Sequence, residues 1–591
     1  IETLFNHLHN LPLDHLLTLD VETSGVDEEV DFLEDKLICY SICWHDRFAV
    51  VIPEEFALHP IVITLFDELL CVRPDLKWGF HNGKFDVQVL GQQAGISLPI
   101  DYDSMLHSYS IDERGGVHGL KHRSRKHLQA GMYDKEINVK KGAASVPRPN
   151  LYKYNAYDTV YTRRLKTALP EPPDFYHDIL IPAANAFTEI EQQGVSVDRQ
   201  YLQELKVSWL PKVDEAYVKL QLGAAIAGFD ARNVLKNARS GLLNPNSPKQ
   251  LAHVLYENLE LPRPRGRKPN TTEGDHLETL DWHPFVKELI QYRTMNKMYS
   301  TYVLGIIDDV RIDGLIHPDF MLHGTRTGRL SCHRPPLHNM PREKTVEDVF
   351  DAMRAIFTSD SDEDVLLIGD YKTLEVWVAY LLCRDPNLLE DLRADIHRAV
   401  AAYALRIPLE EVQDSDRDWS KPITFGIMFD RSAYSLAKGE LQCTEREAQD
   451  YLDRYWMRYP LYHKWWLDTK QDAIKKGYVE SLTGRRRRFP FINQEALPHI
   501  LRQAVNMPIQ CTASEITVMA LTRLHYRLKP LKARVLFTVH DSIAFNIPKS
   551  VFEEAFSIIK EEMTAPVFDT GISLPVDFKI GRRWGGMQKV A

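Results

Sequence analysis

Apolar residues along the first 168 positions follow two alternating periods. LLTLDVET, LICYSICW and FAVVIP carry the β-rich pattern of strands, whereas IVITLFDELL and KFDVQVLGQQ space their apolar residues at helical intervals. This alternation predicts an α/β domain over residues 1–168. The stretch ALPEPPDFYHDILIP is dense in proline and predicts a linker over 169–182. Residues 183–310 are mostly helical by period, interrupted by the basic loop LPRPRGRKPN (261–270). Beyond them, apolar strands such as VLLIGDY and VLFTVHDSIAFNIP alternate with long helices such as EREAQDYLDRYWMRY, and no internal repeat appears.

The chain of 591 residues is too long for one core, so three or more units are expected. Hydrophobic residues at 44% and charged residues at 26% exclude fibrous and wholly disordered classes. No apolar run reaches the roughly 18 residues of a membrane span, and the N-terminal residues lack a signal peptide's basic and apolar regions. The cysteines at 39, 43, 71, 332, 383, 443 and 511 are odd in number and lack paired CxxC spacing, which predicts free thiols rather than a zinc site. The net charge is −10, yet Lys470–Arg534 holds 13 Lys+Arg against 4 Asp+Glu, and Val117–Asn150 holds 8 against 2. Such patches on an acidic chain suit a localised polyanionic partner.

Three short segments carry the first candidate chemistry. Period-2 geometry puts Asp20 and Glu22 on one face of the strand LLTLDVET. GFHNGKFDVQVL supplies Asn82, Phe85 and Asp86 at a strand-to-helix junction, and YKYNAYDTVYTRRL places Tyr154 and Asp158 four apart on one helix face. Four carboxylates from three segments are able to hold two divalent cations, the arrangement that activates a water for in-line phosphodiester hydrolysis, with the Tyr154 phenol orienting that water. Together, DxE, NxxxFD and YxxxD resemble the DEDDy class of 3′–5′ exonucleases. The resemblance implies a ribonuclease H-like fold, metal ligation by Asp20, Glu22, Asp86 and Asp158, and a DNA contact at Asn82. The class includes ribonuclease D-like enzymes, so these motifs alone do not name the substrate.

Farther along, MLHGTRTGRLSCHRPPLHNMP (321–341) is similar to the segment of family A (DNA polymerase I-like) DNA polymerases that runs TGRLSS, then PNLQNIP. Residues 365–397 resemble that family's motif A and its DIH element, 417–437 its motif B, 501–516 the helix after it, and TVHDSIAF (538–545) its motif C. ESLTGRRRRFP (480–490) and NSPKQLAHVLYENLEL (246–261) also have counterparts. The resemblance implies an α+β right-hand polymerase behind the exonuclease: thumb and start of palm over 183–320, palm with motif A over 321–405, fingers with motif B over 406–525, and palm with motif C over 526–591. Bottom-up chemistry agrees. Asp370 ends an apolar strand and Asp541 falls at a hairpin turn, a second two-carboxylate platform for Mg²⁺. Arg417, Lys421, Phe425 and Phe429 recur every four residues, two cations and two aromatic faces suited to a nucleotide.

The family resemblance further implies a metal contact from the Tyr371 backbone carbonyl, Lys421 as proton donor to pyrophosphate, and Glu375 as the steric gate against a ribose 2′-hydroxyl. It gives minor-groove contacts to Arg329, Asn339, Arg502, Asn506, Gln510 and His540. Arg486 and Arg487, and the loop 261–270, are expected on DNA phosphates. It implies two Mg²⁺ at each centre, with Mn²⁺ as a substitute. Expected partners are primer–template DNA, dNTPs and a replisome helicase or primase, with no membrane. No long insertion in 183–320 suggests a thioredoxin-type clamp. A cytoplasmic, bacterial or phage-infected setting follows, and missing 5′-nuclease sequence suggests a bacteriophage source.

Several positions depart from the family. Ser542 replaces a glutamate in motif C, Trp377 an arginine in motif A, Phe429 and Asp430 a tyrosine and glycine in motif B, and Cys511 and Glu515 a glycine and aspartate. Pro422 is expected to start the motif B helix at Ser420 or kink it, which would remove Arg417 from the stripe. Rival readings are a single-subunit RNA polymerase, a DNA-binding scaffold with dead centres, and an exonuclease with an unrelated tail.

Overall fold

The structure, a computed structural model, describes residues 1–25, 31–135, 137, 142–235, 237, 239–264, 268–340, 352–439, 441–568 and 570–590. Two five-stranded sheets organise it. The first consists of β1 (Leu16–Thr23), β2 (Leu37–His45), β3 (Phe48–Ile52), β4 (Lys77–Phe80) and β5 (Tyr102–Asp103), in the order β3-β2-β1-β4-β5. β1 pairs with β2 antiparallel and with β4 parallel. Its burial alternates only over Asp20 and Glu22, because the first half of the strand is covered on both faces. Helix α1 (Gly83–Ala94) leaves β4 through Asn82, whose φ of 65° turns the chain sharply into the helix. Helix α2 (Leu120–Leu128) packs on α3 (Arg148–Ala168), which lies over β1, β2 and β3.

The proline-rich stretch is no loose tether. His107 Nε2 lies 2.7 Å from the Pro170 carbonyl, and the buried Tyr176 hydroxyl accepts from the Asp103 N–H at 2.9 Å. The segment is therefore folded onto the first unit before α4 (Ile181–Gln193) begins. The long helix α5 (Arg199–Ile226) follows, running through Pro211. In the basic loop 261–270, residues 265–267 lie outside the described residues.

The remaining strands are the hairpin β6 (Asp319–Met321) and β7 (Ser331–His333), β8 (Asp364–Tyr371), the pair β9 (Tyr478–Glu480) and β10 (Arg486–Arg488), β11 (Arg534–Val539), β12 (Ser542–Pro548), β13 (Val576–Gly581) and β14 (Gln588–Lys589). The second sheet has the order β11-β12-β8-β13-β14 and is antiparallel throughout. Its central strand β8 is an apolar run that ends at an exposed Asp370. Helices α6 (Leu374–Cys383), α7 (Ile396–Leu405), α8 (Asp414–Met428) and α9 (Leu497–Leu528) complete the parts that position the sites. Among the described residues no helix is long and apolar enough to cross a membrane, and all seven cysteines are unbridged.

One apolar cluster runs from Phe5 to Phe578 through both sheets. Charge crosses the same junction. Lys84 on α1 donates to the Phe320 carbonyl at 2.6 Å and to Asp319 at 3.2 Å, and it pairs with Glu191 on α4. Glu191 also accepts from Gln88 at 2.8 Å and from the Phe320 N–H at 2.8 Å. Burial pushes the Glu191 carboxyl up to about 7, with Lys84 opposing that shift. Removing one partner of a buried pair strands the other charge, which costs about 3–5 kcal/mol. Lys84→Met is therefore expected to lower the thermal midpoint by several degrees. A midpoint within a degree of the parent would show that the pair does not hold the two units together.

Candidate active sites

The first site gathers at the end of β1. Asp20 and Glu22 project from one face of that strand, Asp86 comes from the first turn of α1, and Tyr154 and Asp158 come from one face of α3. Ligand atoms of Asp20, Glu22 and Asp158 lie within 4.8 Å of one another. Asp86 and Asp158 are buried, and the Asp86 carboxylate accepts from the Val21 N–H at 2.9 Å. Asn155 Nδ2 donates to the Asp20 carboxylate at 2.8 Å. Asn82 is exposed at the helix entry.

Like charges without water are costly, and the carboxyls register it. Burial and then the Asp158 charge push Asp20 up to about 8, against the pull of Lys121 and the Asn155 hydrogen bond. Burial, Asp20 and Asp158 hold Glu22 well above the usual carboxylate range, and burial with Asp20 does the same for Asp86. The donor set is all oxygen and carries more carboxylates than cations, the environment of a hard divalent cation.

Two residues here escaped the sequence reading. Lys121 Nζ pairs with Asp158 Oδ2 at 2.5 Å and stands 4.4 Å above the Tyr154 ring. Tyr133 donates its phenol proton to Asp158 Oδ1 at 2.5 Å. The basic excess over residues 117–150 was the one available signal, and it does not single out either residue.

The second site lies at the exposed end of β8. Asp370 stands opposite Ser542 on β12 and opposite Asp577 on β13. Directly opposed residues share a sheet face, so Asp577 adds a carboxylate beside Asp370 that the motifs did not flag. It pairs with Lys372 at 2.6 Å. The turn between β11 and β12 is made by His540, with φ 56°, and Asp541, whose carbonyl accepts from the Tyr371 N–H at 3.1 Å. This bond brings Asp541 to the end of the strand that carries Asp370. Glu375, nearly buried in the first turn of α6, pairs with Arg329, joining two residues assigned to separate tasks.

The motif B helix departs from expectation. It begins at Asp414, closed by a capping box between Gln413 and Asp416, and runs through Pro422. The cap and the packing of α8 on α7 start the helix well before the proline, so Arg417 stays in the stripe. Arg417, Lys421 and Phe425 are half-buried along it, and Phe429 is the residue after its last turn. Arg417 pairs with Asp395 at 2.8 Å, Lys421 with Asp418 at 2.6 Å, and Phe425 packs 5.5 Å from the His397 ring. Asp430 adopts φ 51°, a conformation short polar side chains tolerate, and its carboxylate holds Lys470 at 2.8 Å. That explains how aspartate stands where the family has glycine.

Arg502, Asn506 and Gln510 fall on one stripe of α9, exposed, half-buried and buried in turn. Asn339 and His540 are exposed. Alternation along β10 splits the arginine run. Arg485 and Arg487 turn inward, where Arg485 pairs with the buried Glu515 at 2.9 Å and Arg487 donates to Gln503 at 3.1 Å. Arg486 faces solvent beside Glu480, and Arg488 reaches Glu113 of the first unit at 2.7 Å.

Comparison with known proteins completes the description. The model for DNA polymerase family A matches residues 219–586, and the 3′-5′ exonuclease model matches residues 1–171. The DNA polymerase of Bacillus phage SP01 is 29% identical over 85% of this chain, and DNA polymerase I of Pseudomonas aeruginosa 30% identical over 98%. The chain spans 61% and 64% of the lengths of those relatives. A solved structure, the POL domain of Pol1 from M. smegmatis complex with DNA primer-template and dNTP, superposes over 99% of this chain at TM-score 0.82 and 23% identity, which fixes the fold.

His397 supplies a pH test. Burial first, and then the Arg417 charge, push its imidazole down to about 4, with Asp395 opposing and Lys421 and Asp418 nearby. Unfolded, it would take up a proton near pH 6.5. Between those values the unfolded chain binds more protons, so stability is intact above pH 6.5 and is lost as pH falls towards 4. The thermal midpoint is expected to drop between pH 7 and pH 5, and His397→Gln to make that drop shallower. An equal drop in both proteins would exclude the histidine as its source.

Proposed function

The chain belongs to DNA polymerase family A and carries a 3′-5′ exonuclease domain at its N-terminal side, and from that membership we propose that it extends a DNA primer on a template from dNTPs and proofreads its own product. The observation that carries this reading is the presence of two acidic centres, one at the end of each sheet, on separate parts of the chain. Having both makes physical sense, because selection in one pocket is limited and a second hydrolytic site multiplies it.

Asp20, Glu22, Asp86 and Asp158 are the residues that would hold two Mg²⁺ in the first centre, and Asp370, Asp541 and the Tyr371 carbonyl those in the second. Bound there, such ions lower the pKa of an attacking oxygen and neutralise developing phosphoryl charge. The protein's own groups do the rest. Tyr154 orients the attacking water. Arg417 and Lys421 leave Asp395 and Asp418 to bind the triphosphate, Lys421 protonating the pyrophosphate, while Phe425 and Phe429 lie beside sugar and base. Glu375, held by Arg329, fills the place of a ribose 2′-hydroxyl. Asn339, Arg502, Asn506, Gln510 and His540 face the duplex near the primer end, and Asn82 the strand entering the exonuclease. Arg486 is the outward member of the arginine run and remains a phosphate contact in this reading. Arg487 is placed to orient Gln503 beside it.

A single-subunit RNA polymerase is the rival, and Glu375 and the proofreading centre speak against it. A primer-extension assay offering rNTPs or dNTPs decides between them.

Because the two centres lie on different sheets, they separate by mutation. Asp20→Ala with Glu22→Ala is expected to slow degradation of a 5′-labelled primer by more than about 10³-fold while extension persists, and Asp541→Ala to do the reverse. Equal loss of both activities in either variant would sink the two-site reading.

Phe425 yields a second expectation. A bound deoxynucleotide's 3′-hydroxyl is able to donate to its own phosphate, and a dideoxynucleotide lacks that donor. Tyrosine at 425 could supply one, whereas phenylalanine cannot. A hydrogen bond to a charged acceptor is worth about 1.5–3 kcal/mol, or roughly one to two decades in rate. Strong discrimination against dideoxynucleotides is expected in an exonuclease-deficient background, relaxed in Phe425→Tyr. A ratio already near one in the parent would place Phe425 away from the sugar.

A further inference from the structure

The Lys121 side chain is 28% exposed, so it is neither a core residue nor a solvated one. Its ammonium lies between the Asp158 carboxylate at 2.5 Å and the face of the Tyr154 ring at 4.4 Å. Burial is the largest influence on its charge and opposes it, but Asp158, Tyr133 and Asp20 together outweigh burial and hold the proton more tightly than in water. Tyr133 donates to the other Asp158 oxygen, so the carboxylate is held from both sides. Among the described residues, Lys121 is the cation paired with this centre, held between the Tyr154 phenol ring and the Asp158 carboxylate.

Formal charge supports a role beyond counter-ion. Asp20, Glu22, Asp86 and Asp158 bring four negative charges, which two divalent ions would cancel. Among the described residues, Lys121 then leaves one positive charge, matching the single negative charge of a phosphodiester. Resting on the exonuclease reading above, we propose that Lys121 is a catalytic residue of that centre. It neutralises Asp158 while no divalent ion is bound, and it turns its ammonium to a non-bridging oxygen of the phosphate under attack once ions are bound. In that reaction the water oxygen forms a bond to phosphorus as the bond to the 3′-oxygen of the penultimate nucleotide breaks. One water proton goes to that oxygen, giving a new 3′-hydroxyl, and the other leaves with the nucleoside monophosphate or to solvent. The non-bridging oxygens gain negative charge at the transition state, and a donor already aimed there stabilises it.

The test uses the full chain with Lys121→Met and Lys121→Arg, and primer extension by each preparation serves as the folding control. Single-turnover degradation of a labelled single strand at saturating enzyme is expected to slow about 10²-fold in Lys121→Met, the loss typical of removing one donor to developing charge. Lys121→Arg, which keeps the charge, is expected to retain at least a tenth of the parent rate. Independently of activity, Mn²⁺ binding read by electron paramagnetic resonance at pH 8.5 without DNA is expected to tighten in Lys121→Met, because no ammonium then competes for Asp158. A parental degradation rate in Lys121→Met, an unchanged Mn²⁺ affinity, or an arginine variant as slow as the methionine one would each overturn the proposal. A parent that neither degrades 3′ ends nor binds Mn²⁺ would instead overturn the exonuclease reading itself.

Discussion

Repulsion among carboxylates that the fold has partly removed from water is the constraint on which the rest depends. Two unit charges 4 Å apart repel by about 4 kcal/mol at an effective dielectric of about 20, and Asp20, Glu22 and Asp158 offer oxygens within 4.8 Å of one another. The chain supplies partial relief from the Val21 N–H, the Asn155 amide and the Lys121 ammonium. Relief is incomplete, since Asp20 remains raised to about 8. A cluster left in this state is one built to bind cations, and strands β1 and β8 each deliver carboxylates from an apolar run to an open sheet end.

Holding such centres in fixed places requires the parts of the chain to be joined firmly, and buried charge does part of this. Lys84 with Glu191, Arg488 with Glu113, and Arg485 stacked 5.3 Å and 4.7 Å from the rings of Tyr109 and Phe175 all cross from the first unit to the rest. The arginine run is therefore largely spent inside the molecule. Glu515, where the family has aspartate, is the buried acceptor for Arg485.

The sequence revealed what depends on local period. A strand alternates every two residues and a helix repeats every three to four, so the shared faces of Asp20 with Glu22 and of Tyr154 with Asp158 were legible, as was the hairpin at Asp541. What depends on packing between distant segments was not. Lys121 and Asp158 are 37 residues apart and meet only because α2 packs on α3. Arg487 is a surface residue by composition and a covered one by the alternation of β10. Asp577 joins Asp370 through sheet order, which no motif encodes. Pro422 misled in the other direction, because a cap nine residues upstream had already set the helix.

Anomalous scattering from crystals of the protein soaked in Mn²⁺ tests the central claim most directly, since it locates bound ions without relying on turnover. The account predicts density between Asp20, Glu22 and Asp158 and separate density beside Asp370 and Asp541. Crystals soaked in saturating Mn²⁺ with no peak at either carboxylate cluster would contradict it.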